Sequence, residues 1–151
     1  MALEKIHLML QDSKIVCLLT HGVDALYHYE ESWMCFDKWL SIESKYNAKS
    51  AFYFIAALPE IKYPMPCRNY SIYDENIIKI IKKIEKSGWK VGLHSATYWN
   101  LNLMEVEKKA LERILNRCVA GTRQHFLMIS YNTLRNRAKL GYTYDTSLYK
   151  E

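Results

Sequence analysis

Short apolar runs alternate with segments of helical period along this chain, and that alternation restricts its fold more than any single residue does. Residues 14–19 (KIVCLL), 50–56 (SAFYFIA) and 89–93 (WKVGL) are the first three runs; a fourth lies within 119–127, and 142–148 is the fifth. Each is short and rich in β-branched or aromatic residues, the pattern of a buried strand. Between them, Ser32 opens SWMCFDKWLSIESKYN, with Trp33, Phe36 and Leu40 on one helical face. Asp74 is a good N-cap for NIIKIIKKIEKSG, in which Ile77, Ile81 and Ile84 share a face opposite the lysines and Gly88 stops the helix. Asn102 with Glu105 gives a capping-box-like start to a helix whose buried stripe is Leu111, Ile114 and Leu115. Ser130 caps a last helix ending at Gly141, and Pro59, Pro64 and Pro66 all fall in the loop after the second strand.

The order βαβαβαβαβ predicts an α/β fold of parallel βα repeats with right-handed crossovers. Two architectures satisfy it, an open doubly wound sheet and part of a barrel. A complete eight-stranded barrel takes about 250 residues, more than this chain has. Residues 1–151 are expected to form one domain, large enough to bury a core.

Composition narrows the partners. Half the residues are apolar and a quarter charged, as in an ordinary soluble protein. The formal charge of +5 is spread along the chain, and no basic tract alternates with stacking aromatics, so nucleic acid is not an expected partner. No apolar stretch reaches the length of a membrane span and the N-terminus lacks a secretory pattern, which predicts a cytoplasmic protein. Cys17, Cys35, Cys67 and Cys118 form no CxxC pair and are expected to be buried, reduced thiols. Twelve tyrosines and four tryptophans suit sugar rings, and equally a core or an interface.

In parallel α/β folds, function collects beyond the carboxyl ends of the strands. Here those ends are polar: Thr20, His21 and Asp24 after the first strand, His94, Ser95, Thr97 and Tyr98 after the third, Thr122, Arg123, Gln124 and His125 at the fourth, and Asp145, Thr146 and Ser147 at the fifth. Taken singly, a strand-end aspartate is as often a turn former, and a lone histidine more often structural than a ligand. Repetition on four strands favours a shared site. A carboxylate with imidazoles can hold a divalent metal, which polarises a carbonyl and acidifies bound water. Asp24 and His94 would supply two of the roughly three protein ligands of a catalytic zinc site; Tyr98, His125 and His21 are candidates for the third. The chain carries no GxGxxG, Walker A, GxSxG or HExxH sequence, so nucleotide and serine-hydrolase sites are not supported.

Five segments, in order, resemble the polysaccharide deacetylases (the NodB-homology, carbohydrate esterase family 4 group): LTHGVDAL (19–26), SAFYFI (50–55), GWKVGLHSATY (88–98), GTRQHFL (121–127) and GYTYDTSL (141–148). The resemblance implies a distorted or incomplete (β/α)₇ barrel. It also implies a hydrolase of carbon–nitrogen bonds other than peptide bonds, removing acetyl groups from N-acetylated or O-acetylated glycans with a divalent metal, typically zinc. By that resemblance Asp24 and His94 match metal ligands. Arg123 matches the arginine that orients the base, and Asp145 and Ser147 match a structural or substrate-lining segment. Tyr98 stands where a second metal histidine is usual and is assigned to the substrate. The usual base position is Gly22, and glycine accepts no proton, so His21 or His125 would have to serve. No later Leu-His motif supplies the usual acid. A truncated domain would leave an open sheet edge, which predicts association into a homo-oligomer; the alternative function is an inactive homologue that binds glycan or a partner.

Overall fold

Five parallel strands and the helices between them make up the computed structural model, which describes residues 17–24, 29–63 and 70–147, with side chains from residue 35 onward in the helix that starts at Tyr29. The elements are β1 (Thr20–Val23), α1 (Tyr29–Lys45), β2 (Ala51–Ile55), α2 (Glu75–Lys86), β3 (Lys90–Ser95), α3 (Leu101–Leu115), β4 (Gly121–Gln124), a 3₁₀ turn (His125–Leu127), α4 (Thr133–Lys139) and β5 (Tyr144–Asp145). The strands lie in the order β1-β2-β3-β4-β5, all parallel. A doubly wound sheet reverses its strand order at a switch point; this one does not, so of the two architectures open to the sequence it takes the barrel-like one. Among the described residues the sheet does not close, and β1 and β5 are its edges.

One face of the sheet carries the core. Phe52 and Phe54 of β2 point to it and meet Phe36 of α1, at ring separations of 5.9 and 6.1 Å. Ile77, Ile80, Ile81 and Ile84 of α2 are essentially inaccessible, as are Leu93 and Leu111. Burying each such side chain stabilises by about 1.5–3 kcal/mol, so this face holds the domain together. Asp74 caps α2 as expected, its side chain accepting from the Asn76 amide, and Gly88 follows with φ +89°, a left-handed conformation that glycine adopts without strain.

Strand parity assigns the opposite, inner face to Thr20, Gly22 and Asp24 of β1, Tyr53 of β2, Gly92 and His94 of β3, Gly121 and Arg123 of β4 and Tyr144 of β5. A Cβ at Gly92 would meet the Tyr53 ring at 2.6 Å, and one at Gly121 the Tyr144 ring at 2.1 Å. The glycines thus make room for two aromatic rings to lie against the sheet.

Several boundaries differ from the sequence expectation. The first strand runs Thr20–Val23, beyond the apolar run over 14–19, because its ladder partners in β2 are Ala51–Phe54; Leu18 and Leu19 are exposed, and residues 14–16 lie outside the description, as do Pro64, Pro66, Cys67 and Leu148. α1 begins at Tyr29, before Ser32, and the Trp33 side chain is not described. α3 begins at Leu101 because Asn100, ahead of Asn102, caps it by accepting from the Asn102 and Leu103 amides. At Ser130 the expected cap is inverted: its amide donates to the Thr133 hydroxyl, 2.7 Å away, and α4 starts at Thr133. β5 is only two residues long. Cys17, Cys35 and Cys118 are exposed rather than buried: Cys17 precedes the paired part of β1, Cys35 faces away from the core side of α1 and Cys118 follows the end of α3.

Candidate metal centre

His94 is the fifth residue of β3, on the inner face, and is nearly inaccessible. Its Nδ1 lies 3.0 Å from the main-chain carbonyl of Arg123 on the neighbouring strand. An N–H donated there fixes the tautomer and leaves Nε2 as the free lone pair. That Nε2 is 2.8 Å from Oδ1 of Asp24, just past the end of β1. His125 opens the turn after β4, and its Nδ1 is 3.2 Å from the same oxygen and 3.3 Å from His94 Nε2. Two residues after it, Phe126 and Leu127, have φ of 54° and 55°. Left-handed backbone at consecutive non-glycine residues costs roughly 1 kcal/mol or more each, so the turn is held by its surroundings. It reverses the chain immediately after β4 and keeps His125 directed at Asp24 and His94.

Asp24, His94 and His125 thus offer three ligand atoms within 4.8 Å of one another, the one such group among the described residues. Hydrogen bonds with His125, and next with His94, outweigh the effect of burial and hold the Asp24 carboxyl well below the usual carboxylate range, so it stays ionised. Two imidazoles and one carboxylate are a donor set suited to zinc and similar divalent ions, and three protein ligands leave a position open. Two buried ring nitrogens facing one another across a shared carboxylate oxygen make a poor hydrogen-bond network and a good cation cradle. The residues present fit a metal.

The other residues singled out from the sequence are distributed as follows. His21 is an odd number of positions from Asp24 along β1 and points to the core face, where Nε2 lies 2.8 Å from Glu43 Oε1 and the ring stacks on Phe52. Tyr98 lies in the loop after β3, its ring edge-on to Trp99 and its carbonyl accepting from the Thr133 hydroxyl. Of the three candidates for a third ligand, His125 is therefore the one that meets Asp24 and His94. Arg123 shares their inner face and donates from Nη1 to the Thr20 hydroxyl at 3.0 Å. Asp145 and Ser147 face the core side, where the buried Arg137 ion-pairs with Asp145 and donates to Ser147 Oγ and Gln124 Oε1; they tie β4, β5 and α4 together. At Gly22 a Cβ would stand 3.5 Å from His94 Nε2 and 4.0 Å from Asp24 Oδ1, so the missing side chain would face the cluster.

One residue of consequence is absent from the sequence reading. Glu107 of α3 is fully buried and accepts from Ser95 Oγ, the Ala96 amide and Thr97 Oγ1, at 2.9, 3.2 and 2.7 Å. It fixes the last residue of β3, next to His94, and the loop that follows. Burial raises its carboxyl above the ordinary value, and the hydrogen bonds from Thr97, Ser95 and Ala96 oppose that. Helical spacing places Glu107 on the face that carries Met104 and Leu111, but does not show the donors it meets there.

Compared with known proteins, the chain has the fold of carbohydrate esterase family 4 polysaccharide deacetylases, incomplete as a barrel. A Streptococcus pyogenes deacetylase, solved in complex with acetate, superposes with a TM-score of 0.61 at 19% identity, over 93% of this chain and 61% of that one. A Mycobacterium smegmatis chain assigned as a polysaccharide deacetylase gives 0.62 at 16% identity, over 87% and 50%. A Bacillus anthracis pseudoenzyme of the same family gives 0.62 at 15% identity, over 89% and 43%. The chain thus spans from under half to about three-fifths of these structures. No family model and no curated protein matches its sequence. No helix among the described residues is long and apolar enough to cross a membrane.

Proposed function

We propose that this chain is a deacetylase-like protein that holds a divalent metal, with zinc the best fit, through Asp24, His94 and His125 and engages acetylated glycans at that rim without efficient hydrolysis. The convergence of these three side chains around one carboxylate oxygen carries the reading. A metal bound there would polarise an acyl carbonyl and acidify a water. The Asp24 carboxylate anchors the charge, and the Arg123 carbonyl sets the tautomer of His94. Gly22 itself offers no side chain to take a proton from that water, and His21 is engaged by Glu43 on the other face. Exposed aromatic residues in the loops after β3 and β4 (Trp99, Phe126 and Tyr131) offer stacking surface for sugar rings. A similar Bacillus anthracis fold is described as a pseudoenzyme, and a mutant of it as having restored enzymatic activity.

Acetate release from an N-acetylated chitooligosaccharide tests this directly. The zinc-loaded wild-type chain is expected to release none above background, and Gly22→Asp, which places a carboxylate toward the cluster, to release a measurable amount. A second reading, active hydrolysis with His125 as the base, is favoured by the Asp24–His125 hydrogen bond, since an acid–imidazole pair can accept a proton. Acetate release by the wild-type chain would establish that second reading and overturn the first.

A further inference from the structure

The inner face holds a cation with no acid beside it. The Arg123 side chain reaches from β4 to β1, where it donates to the Thr20 hydroxyl, and among the described residues no carboxylate pairs with it. Arg123 is only partly exposed. Its planar fork can meet two acceptors side by side, yet among the described residues its one protein acceptor is a neutral hydroxyl, so its remaining N–H groups are open to a ligand. Two residues beyond Thr20, on the same face of the same strand, Gly22 contributes no side chain. Gly22 is exposed, and a Cβ there would make only ordinary contacts of 3.5 and 4.0 Å with His94 and Asp24, so a ligand group can reach this position without displacing either. Tyr53, the ladder partner of Gly22, is buried with its ring laid over Gly92 of β3.

We propose that this gap is a subsite for a carboxylate carried by the ligand, so that the glycan bound here is an acidic one, bearing a uronic-acid type group. The inference rests on the reading of the rim as a glycan site and names its substrate class. The opening begins where a side chain is missing, and the planar fork of Arg123 matches a planar carboxylate. The Asp24 carboxylate, 4.0 Å from the Cβ position, repels an incoming anion until a divalent cation offsets its charge. Metal and acidic ligand should therefore strengthen each other's binding.

Calorimetric titration of the full chain with D-glucuronate and with D-glucose, each with and without zinc, tests the subsite. Glucuronate is expected to bind at least about tenfold tighter than glucose, most strongly in the zinc-loaded form, as for a hydrogen bond to a charged group. Arg123→Gln should remove that preference. Gly22→Asp should do the same by filling the gap with a tethered carboxylate, while its zinc uptake persists. Equal binding of the two sugars, or an undiminished preference for glucuronate in both variants, overturns the subsite. Failure of zinc uptake in the wild type overturns the metal reading instead. In that case the two sugars are compared in Asp24→Asn, which removes the repelling carboxylate, and equal binding there overturns the subsite.

Discussion

At the scale of single residues, the site depends on which face of a strand each side chain reaches. Asp24 and Gly22 share one parity on β1 and His21 the other, so two residues three apart end in unrelated surroundings: an acid cluster with two imidazoles, and a ring bound to Glu43. Glu107 is the residue on which His94's loop depends. Its carboxylate accepts three hydrogen bonds from Ser95, Ala96 and Thr97, whereas a glutamine has one acceptor oxygen and turns its NH₂ toward donors. Glu107→Gln is therefore expected to destabilise the fold by about 1–3 kcal/mol at neutral pH. The pH dependence has a definite sign. The folded-state carboxyl is raised, so the folded form holds its proton longer than the unfolded one and stability falls as pH rises above the ordinary glutamate value. The advantage of wild type over Glu107→Gln should accordingly shrink from pH 5 to pH 8 in urea titrations; a growing advantage would contradict the assignment. Asp24 and His94 were legible as strand-end polar residues, and parity also separates His21 from His125. Glu107 was obscured because helical spacing gives a face without saying whether a charged member of that face finds donors.

At the scale of elements, a second buried acid does the opposite work at the far end of the sheet. Glu43 of α1 accepts from the Ser50 amide at 2.9 Å and from Trp89 Nε1 at 2.5 Å and meets His21 at 2.8 Å, joining α1 to β1 and to the entries of β2 and β3. Burial alone would raise its carboxyl, but the hydrogen bonds from His21, Trp89 and Ser50 win and hold it below the ordinary value. A depressed carboxyl contributes stability above the ordinary pKa that is lost as pH falls, so the advantage of wild type over Glu43→Gln should shrink on acidification, the reverse of Glu107. Denaturation of both variants across pH 4 to 8 checks the pair, and curves of the same sign would refute it. The strands also need their glycines. Gly92→Ala drives a methyl to within 2.6 Å of the Tyr53 ring and 2.9 Å of the Gly121 carbonyl, and should cost about 1–3 kcal/mol in the same assay. The strand and helix types were readable from period and length, but the first strand's position was not. The apolar run over 14–19 is more hydrophobic than THGV, and it is pairing with Ala51–Phe54 that makes THGV the strand.

At the scale of the whole molecule, alternation of elements was enough to predict parallel strands, whereas their order was not in the pattern. Helical and strand periods say which face is apolar and are silent on which strand lies beside which, so a doubly wound sheet and a barrel segment remained equivalent until the unreversed order β1-β2-β3-β4-β5 separated them. That order sends all five strand ends to one rim and lets residues 24, 94 and 125, far apart in the chain, meet within 4.8 Å. The most direct test is zinc or cobalt(II) titration of the metal-free chain, alongside His125→Ala and Tyr98→Phe. One tight site is expected in the wild type and in Tyr98→Phe, with affinity lowered more than about 100-fold in His125→Ala, since loss of even an outer partner of a ligand costs 10- to 100-fold. Undiminished metal binding by His125→Ala would contradict the three-residue centre.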